Sequence, residues 1–366
     1  MLAAIVFWAS AAAQPVPTVA AAAWLLQDVS SGQVLLAHHP DERREPASLT
    51  KLMTAYLVFG ALRDKALTPS QPVTISERAW RAEGSRMFVE PRHVVSVDEL
   101  LRGMIVQSGN DASIALAELV SGSEAAFAER MNAEAKRLGM TNTRFTNATG
   151  LADPQHYSTA SDLARLASAL IRDFPEYYPL YSLKDYRYNG ITQPNRNRLL
   201  WIDPYVDGVK TGHTEAAGWC LVASAKRGER RVLSVVLGAA SEPVRIAESQ
   251  KLLNFGFQAF DTVALYSSGK AVSTLRVWKG ADSEVPAGFL ADQYLTLPKG
   301  KASKLEVTMS ATEPLIAPVT RGQRVGTVKV ALEGKALGEY PLLALADVPL
   351  ASIFGRAWDT VRLWFK

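Results

Sequence analysis

Apolar residues recur along this chain at two different periods, and the changes of period mark its elements. Two short apolar runs, Trp24–Asp28 and Gln33–Ala37, flank Ser30-Ser31-Gly32 and predict a β-hairpin. From Pro46-Ala47-Ser48 to Leu62 the apolar positions Leu49, Leu52, Met53, Tyr56, Leu57 and Leu62 recur every three to four residues, a helical spacing. That spacing returns from Val97 to Val120, broken at Ser108-Gly109-Asn110, and over Glu124–Leu138, where Gly139 supplies the stop. Ser161–Ile171 is a further helix, capped by Ser161 or Asp162. Cys220–Ala225 and Val232–Leu237 are β-type runs joined through Lys226-Arg227-Gly228-Glu229, a second hairpin, and Ile246–Phe260 is helical again. Two hairpins completing one sheet under helices predict an α+β domain.

From about residue 262 no long helical period survives. Val263–Leu265, Thr274–Trp278, Gln293–Leu297, Leu305–Met309, Gly326–Ala331 and Tyr340–Ala346 are short runs with turn signals between them, which predicts a small all-β sandwich. Pro349–Lys366 is amphipathic. Leu350, Ile353, Phe354, Ala357, Trp358, Val361, Trp364 and Phe365 share one face, and Arg356, Asp359, Arg362 and Lys366 lie largely opposite. Charges spread along its length oppose a spanning helix and fit one lying in a membrane interface. At the other end, Leu2 to Ala13 is apolar and small, and Ala11-Ala12-Ala13 reads as a cleavage site, although no Lys or Arg precedes the run. The expected organisation is a signal peptide over 1–13, a catalytic domain over 14–261, a β-sandwich over 262–347 and an anchor helix over 348–366.

Composition narrows the function. With 48% hydrophobic residues the chain can fill a sizeable core. Its net charge of +4 is scattered without a basic run, which argues against nucleic acid as a partner. The single Cys220 permits no internal disulfide, and the five His show no metal-ligand spacing, so no metal or cofactor is expected.

Three short motifs carry chemistry. Ser48-Leu49-Thr50-Lys51 places a hydroxyl and an amine one helical turn apart. A serine needs a base to become a nucleophile, and a lysine serves if burial and a neighbouring positive charge lower its pKa. Ser108-Gly109-Asn110 is a polar break between buried helical stretches, with Ser108 placed to relay a proton and Asn110 to donate and accept at a cleft wall. Lys210-Thr211-Gly212 suits a peptide laid along a sheet edge: Lys210 and Thr211 meet a terminal carboxylate, and Gly212 admits the substrate backbone. The three occur in order, 60 and 102 residues apart, a combination found in β-lactamases and penicillin-binding proteins.

The stretches around these motifs, with Asn195-Arg196-Asn197-Arg198-Leu199-Leu200, resemble the low-molecular-mass penicillin-binding proteins, specifically the D-alanyl-D-alanine carboxypeptidases. The resemblance covers essentially the whole chain. It implies a β-lactamase/transpeptidase-like domain, an antiparallel five-stranded sheet flanked by helices, followed by the β-sandwich and a membrane-anchoring helix. It implies Ser48 as nucleophile, Lys51 as base, Ser108 with Lys210 as the proton path to the leaving D-alanine, and Asn110 on the acyl-side amide. Thr211 and Arg245 would hold the carboxylate, and the backbone N–H groups of Ser48 and His213 the oxyanion. The partners implied are the peptidoglycan stem pentapeptide, β-lactam antibiotics as covalent inhibitors, and the membrane surface at the periplasmic face of a bacterial cytoplasmic membrane. A DD-endopeptidase is the alternative. A class A β-lactamase would need a deacylating glutamate, for which Phe174–Asp185 offers only Glu176, and a degenerate peptidoglycan-binding protein would not keep all three motifs.

Overall fold

A computed structural model describes residues 15–364, so the expected signal peptide lies outside the described residues. The chain divides into two compact units, one reaching Gln258 and the other beginning at Ala259.

The first unit is built on five strands: β1 (Ala23–Asp28), β2 (Val34–His38), β3 (Val206–Thr214), β4 (Gly218–Arg227) and β5 (Arg230–Ala239). Their order is β2-β1-β5-β4-β3, antiparallel throughout, with Leu25 opposite Val235 and Lys210 opposite Val222. The two predicted hairpins thus meet at the centre, and β3 forms one edge. Residues alternate between two covered faces. Leu25, Leu233 and Val235 join the main core, which also holds α1 (Lys51–Arg63), α2 (Asn110–Ser121), α3 (Glu124–Arg137) and α4 (Ala160–Asp173). Leu26 and Val232 face α5 (Glu242–Ala259), where a Cβ on Gly256 would stand 2.8 Å from Val232 Cγ1. Cover on both faces explains why β4 and β5 read as near-continuous apolar runs.

Three helical expectations are corrected in detail. The cap of α4 is Thr159, whose hydroxyl accepts from Asp162 N–H at 3.1 Å, rather than Ser161 or Asp162. The helix expected to begin at Ile246 begins at Glu242, because its first turn is polar and hid the period. The Val97–Val120 region is a short helix, Val97–Arg102, a π-helical turn over Gly103–Gln107, and α2. Ser108 links the last two in a left-handed conformation, φ 67°.

The second unit is all-β apart from a 3₁₀ turn, Ala302–Lys304, and its terminal helix. Phe260–Tyr266 pairs with Gln293–Pro298. A six-stranded sheet runs Leu305–Ala311, Arg324–Leu332, Lys335–Ala344, Glu284–Gly288, Ala271–Trp278, Leu315–Ile316. Their shared core includes Val277, Val285, Leu295, Val328 and Leu342. Ile353–Leu363 forms the terminal helix, capped by Ser352, with Asp359 accepting the Lys279 N–H at 2.6 Å. Phe354 and Trp364 are more than four-fifths exposed, at 87% and 84%. Among the described residues no helix is long and apolar enough to cross a membrane.

Candidate active site

Ser48 sits in a 3₁₀ turn, Ala47–Thr50, that runs directly into α1. Ala47 adopts φ 47°, a left-handed conformation unfavourable for a residue with a Cβ. Two neighbouring glycines press on this turn. A Cβ on Gly150 would lie 1.8 Å from Ala47 O, and one on Gly212 would lie 2.9 Å from Pro46 O. Gly212 thus lets β3 close onto the nucleophile turn, a packing reason that differs from the substrate access expected of it.

Lys51 is 1% exposed directly behind Ser48. Its Nζ lies 3.0 Å from Ser48 Oγ, 2.7 Å from Asn110 Oδ1 and 2.6 Å from Thr149 O. The amide oxygen and the carbonyl can only accept. A neutral amine donating to those two therefore turns its lone pair toward the Ser48 hydroxyl. Burial, helped by the Arg196 charge, lowers the Lys51 pKa to about 7, while Asp111 and Glu124 oppose the shift. A base at neutral pH is the consequence.

The Thr149 carbonyl, invisible to a reading of side chains, is held by its own framework. Ala148 N–H donates to the buried Glu124 carboxylate at 3.0 Å, and Thr54 Oγ1 donates to Ala148 O at 2.7 Å. His156, 2% exposed, ties the same loop to the nucleophile turn. Thr146 N–H donates to its Nδ1 at 3.1 Å, so the proton is on Nε2, which donates to Thr50 Oγ1 at 2.7 Å. Burial lowers the His156 pKa to about 4, and the ring is neutral near pH 7.

Ser108 Oγ accepts from Lys210 Nζ at 3.0 Å, and the same amine donates to Thr211 O at 3.0 Å. Burial first, then the charges of Lys51, Arg196 and Arg245, pushes the Lys210 pKa well down. Asn110 gives one amide proton to Glu83 O at 2.6 Å while its oxygen receives Lys51. Asp111, fully buried, accepts from the N–H groups of Met87, Phe88, Val89 and Ala112 at 2.8–3.2 Å and so fixes the segment over α2.

These groups converge on a cleft of about 630 Å³. Ser48, Ser108, Thr211, Gly212, His213 and Arg245 line it, while Lys51 and Lys210 lie behind the lining, bonded to Ser48 and Ser108, and Asn110 lies behind it, bonded to Lys51. Arg245 is not the solvated helix residue its isolation in sequence suggests. It is 3% exposed, donates to Gly212 O at 3.3 Å and pairs with Glu242 at 3.1 Å. Arg196, Arg198 and Trp219 also line the cleft. Sequence reasoning quoted Arg196 and Arg198 without giving them a role, and it passed over Trp219. Three arginines against one glutamate make the lining cationic, which suits an anionic ligand. Among the described residues no cluster of His, Cys, Asp or Glu could hold a metal ion.

A nucleophilic serine backed by a buried lysine, on a sheet covered by helices on both faces, defines a serine acyl-transfer enzyme. Comparison with known proteins gives the family. Residues 9–241 match the family model for D-alanyl-D-alanine carboxypeptidase, and residues 260–350 match the C-terminal domain of penicillin-binding protein 5. The chain belongs to the D-alanyl-D-alanine carboxypeptidase family. It is 45% identical to the D-alanyl-D-alanine carboxypeptidase DacC of Escherichia coli, over 95% of this chain and 89% of the relative. The crystal structure of penicillin-binding protein 5 from Haemophilus influenzae superposes with TM-score 0.88 at 43% identity, covering 92% of this chain and 99% of that one. Ampicillin-bound penicillin-binding protein D2 from Listeria monocytogenes matches with TM-score 0.62 at 33% identity, over 67% of this chain and 100% of that one.

Proposed function

We propose that this protein removes the terminal D-alanine from the peptidoglycan stem pentapeptide through an acyl-enzyme on Ser48. The observation that carries the mechanism is the Lys51 amine, held by Asn110 Oδ1 and Thr149 O with its third position on Ser48 Oγ. Lys51 takes the Ser48 proton as Oγ bonds to the carbonyl carbon of the penultimate D-alanine. The negative charge that this places on the carbonyl oxygen is met by the backbone N–H groups of Ser48 and His213. The carbon–nitrogen bond then breaks, and the leaving nitrogen takes a proton from Ser108, which is replaced by the proton that Lys51 took from Ser48, with Lys210 holding the Ser108 oxygen. Thr211 and Arg245 hold the terminal carboxylate, and Asn110 offers its remaining amide proton to the acyl side. Water hydrolyses the ester, releasing the shortened peptide and restoring Ser48. A β-lactam undergoes the first half of this reaction, but its leaving nitrogen stays tethered in the ring remnant.

The same reading places the enzyme at the periplasmic face of the cytoplasmic membrane, exported by a cleaved leader, with its terminal helix in the lipid interface. The exposed Ile353, Phe354, Trp358 and Trp364 support this, because soluble surfaces rarely present such a stripe. D-Alanine release from a D-Ala-D-Ala pentapeptide, measured with wild type and Ser48→Ala, tests the chemistry. Release by the first and not the second is expected. A wild-type protein that acylates with penicillin yet releases no D-alanine would overturn the carboxypeptidase assignment.

A further inference from the structure

The cleft lining is largely polar and cationic. Among its described residues Trp219 is the one large apolar side chain. It lies opposite His213 in the β3–β4 ladder, with ring centroids 4.0 Å apart. The Arg245 guanidinium stands 4.9 Å from the same indole. The indole is only half-buried, so it presents surface to the cleft. Its position is fixed from several sides: His213 by the strand, and Arg245 by its bonds to Gly212 O and Glu242.

We propose that Trp219 is a specificity-determining residue, the wall that limits the side chain of the departing C-terminal residue to about the size of a methyl group. The inference rests on the assignment of the terminal carboxylate to Thr211 and Arg245. A carboxylate held there leaves its Cα substituent one bond further on, beside the indole that contacts Arg245. An aromatic ring bracketed by two neighbours cannot step aside for a branched side chain. Each methylene that fails to fit such a wall costs roughly ten-fold or more in kcat/KM.

The test uses two pentapeptides that differ only in the last residue, D-alanine or D-leucine, with the full-length wild type, Trp219→Ala and Trp219→Phe. The quantity read is the ratio of kcat/KM for the D-leucine peptide to that for the D-alanine peptide. Trp219→Ala should raise this ratio at least about ten-fold, and Trp219→Phe should change it less. A fall in both rates with an unchanged ratio would overturn the proposal and leave Trp219 as a mere support for Arg245. Should Trp219→Ala not fold, Trp219→Leu is judged by the same ratio. Release of neither terminal residue by the wild type would instead remove the carboxypeptidase reading beneath it.

Discussion

At Lys51 the location of one proton decides whether Ser48 reacts. The protonated amine has no lone pair, so activity is lost as pH falls through the lysine's value of about 7 and is present above it. The rate of acylation by a labelled penicillin should therefore drop about ten-fold per unit below that point. The Arg196 charge helps to lower that value. Arg196→Gln should move the acidic limb of the same profile to higher pH, because removing a like charge restores the protonated form. Gly150 makes a steric demand close by. At φ 82° and with a Cβ position 1.8 Å from Ala47 O, Gly150→Ala must displace either the nucleophile turn or the Thr149 carbonyl. A stability loss above about 1 kcal/mol in urea denaturation, and slower penicillin acylation, are expected together.

Among the elements, legibility followed burial. β4 and β5 were readable because both faces are covered and their central stretches, Cys220–Ala225 and Val232–Leu237, are apolar but for Ser224 and Ser234. β3 was placed at a sheet edge only through its Lys210-Thr211-Gly212, and its bounds were not legible. An edge strand that lines a cleft carries Asp207, Lys210, Thr211 and His213, and polar residues erase the alternation by which strands are recognised. Motif serines and lysines announced themselves by side chain. Thr149 acts through a carbonyl that any residue has, so its role was not written in the sequence, and Arg245 was named only through the family resemblance because nothing local shows that a helix buries it. The Ser108 break was visible, whereas the π-helical turn before it was not, since a single extra residue per turn leaves the apolar pattern nearly unchanged. Asp111 holds the 87–89 segment against the start of α2. Asp111→Asn keeps the shape but turns an NH₂ toward N–H donors whichever way the amide is set. A loss of about 2–3 kcal/mol is expected, read as a lower urea midpoint.

For the whole molecule, the catalytic groups all belong to the first unit, which has its own core. A chain ending at Ala259 should keep D-alanine release from soluble pentapeptide, measured against the full chain. The terminal helix predicts a separable loss. Phe354→Ser with Trp358→Ser should abolish sedimentation with anionic lipid vesicles and leave soluble-substrate turnover intact. Retained sedimentation would remove the helix from the membrane reading.

The edge strand β3 bears on self-association. A strand with an unpaired side is an invitation to any extended chain, including the same strand of another copy, and such edges are where sheet proteins stick together. Here the strand is closely packed by its neighbours. A Cβ on Gly208 would meet Tyr178 Oη at 2.7 Å, and Pro46 and Ala47 press on Gly212. From Gly208 to Gly212 the strand is buried, and it becomes exposed only at His213. Two rigid sheets cannot reach so recessed an edge, whereas a thin, flexible peptide entering from the cleft can. A recessed edge of this kind suits a single extended chain better than the same strand of another copy.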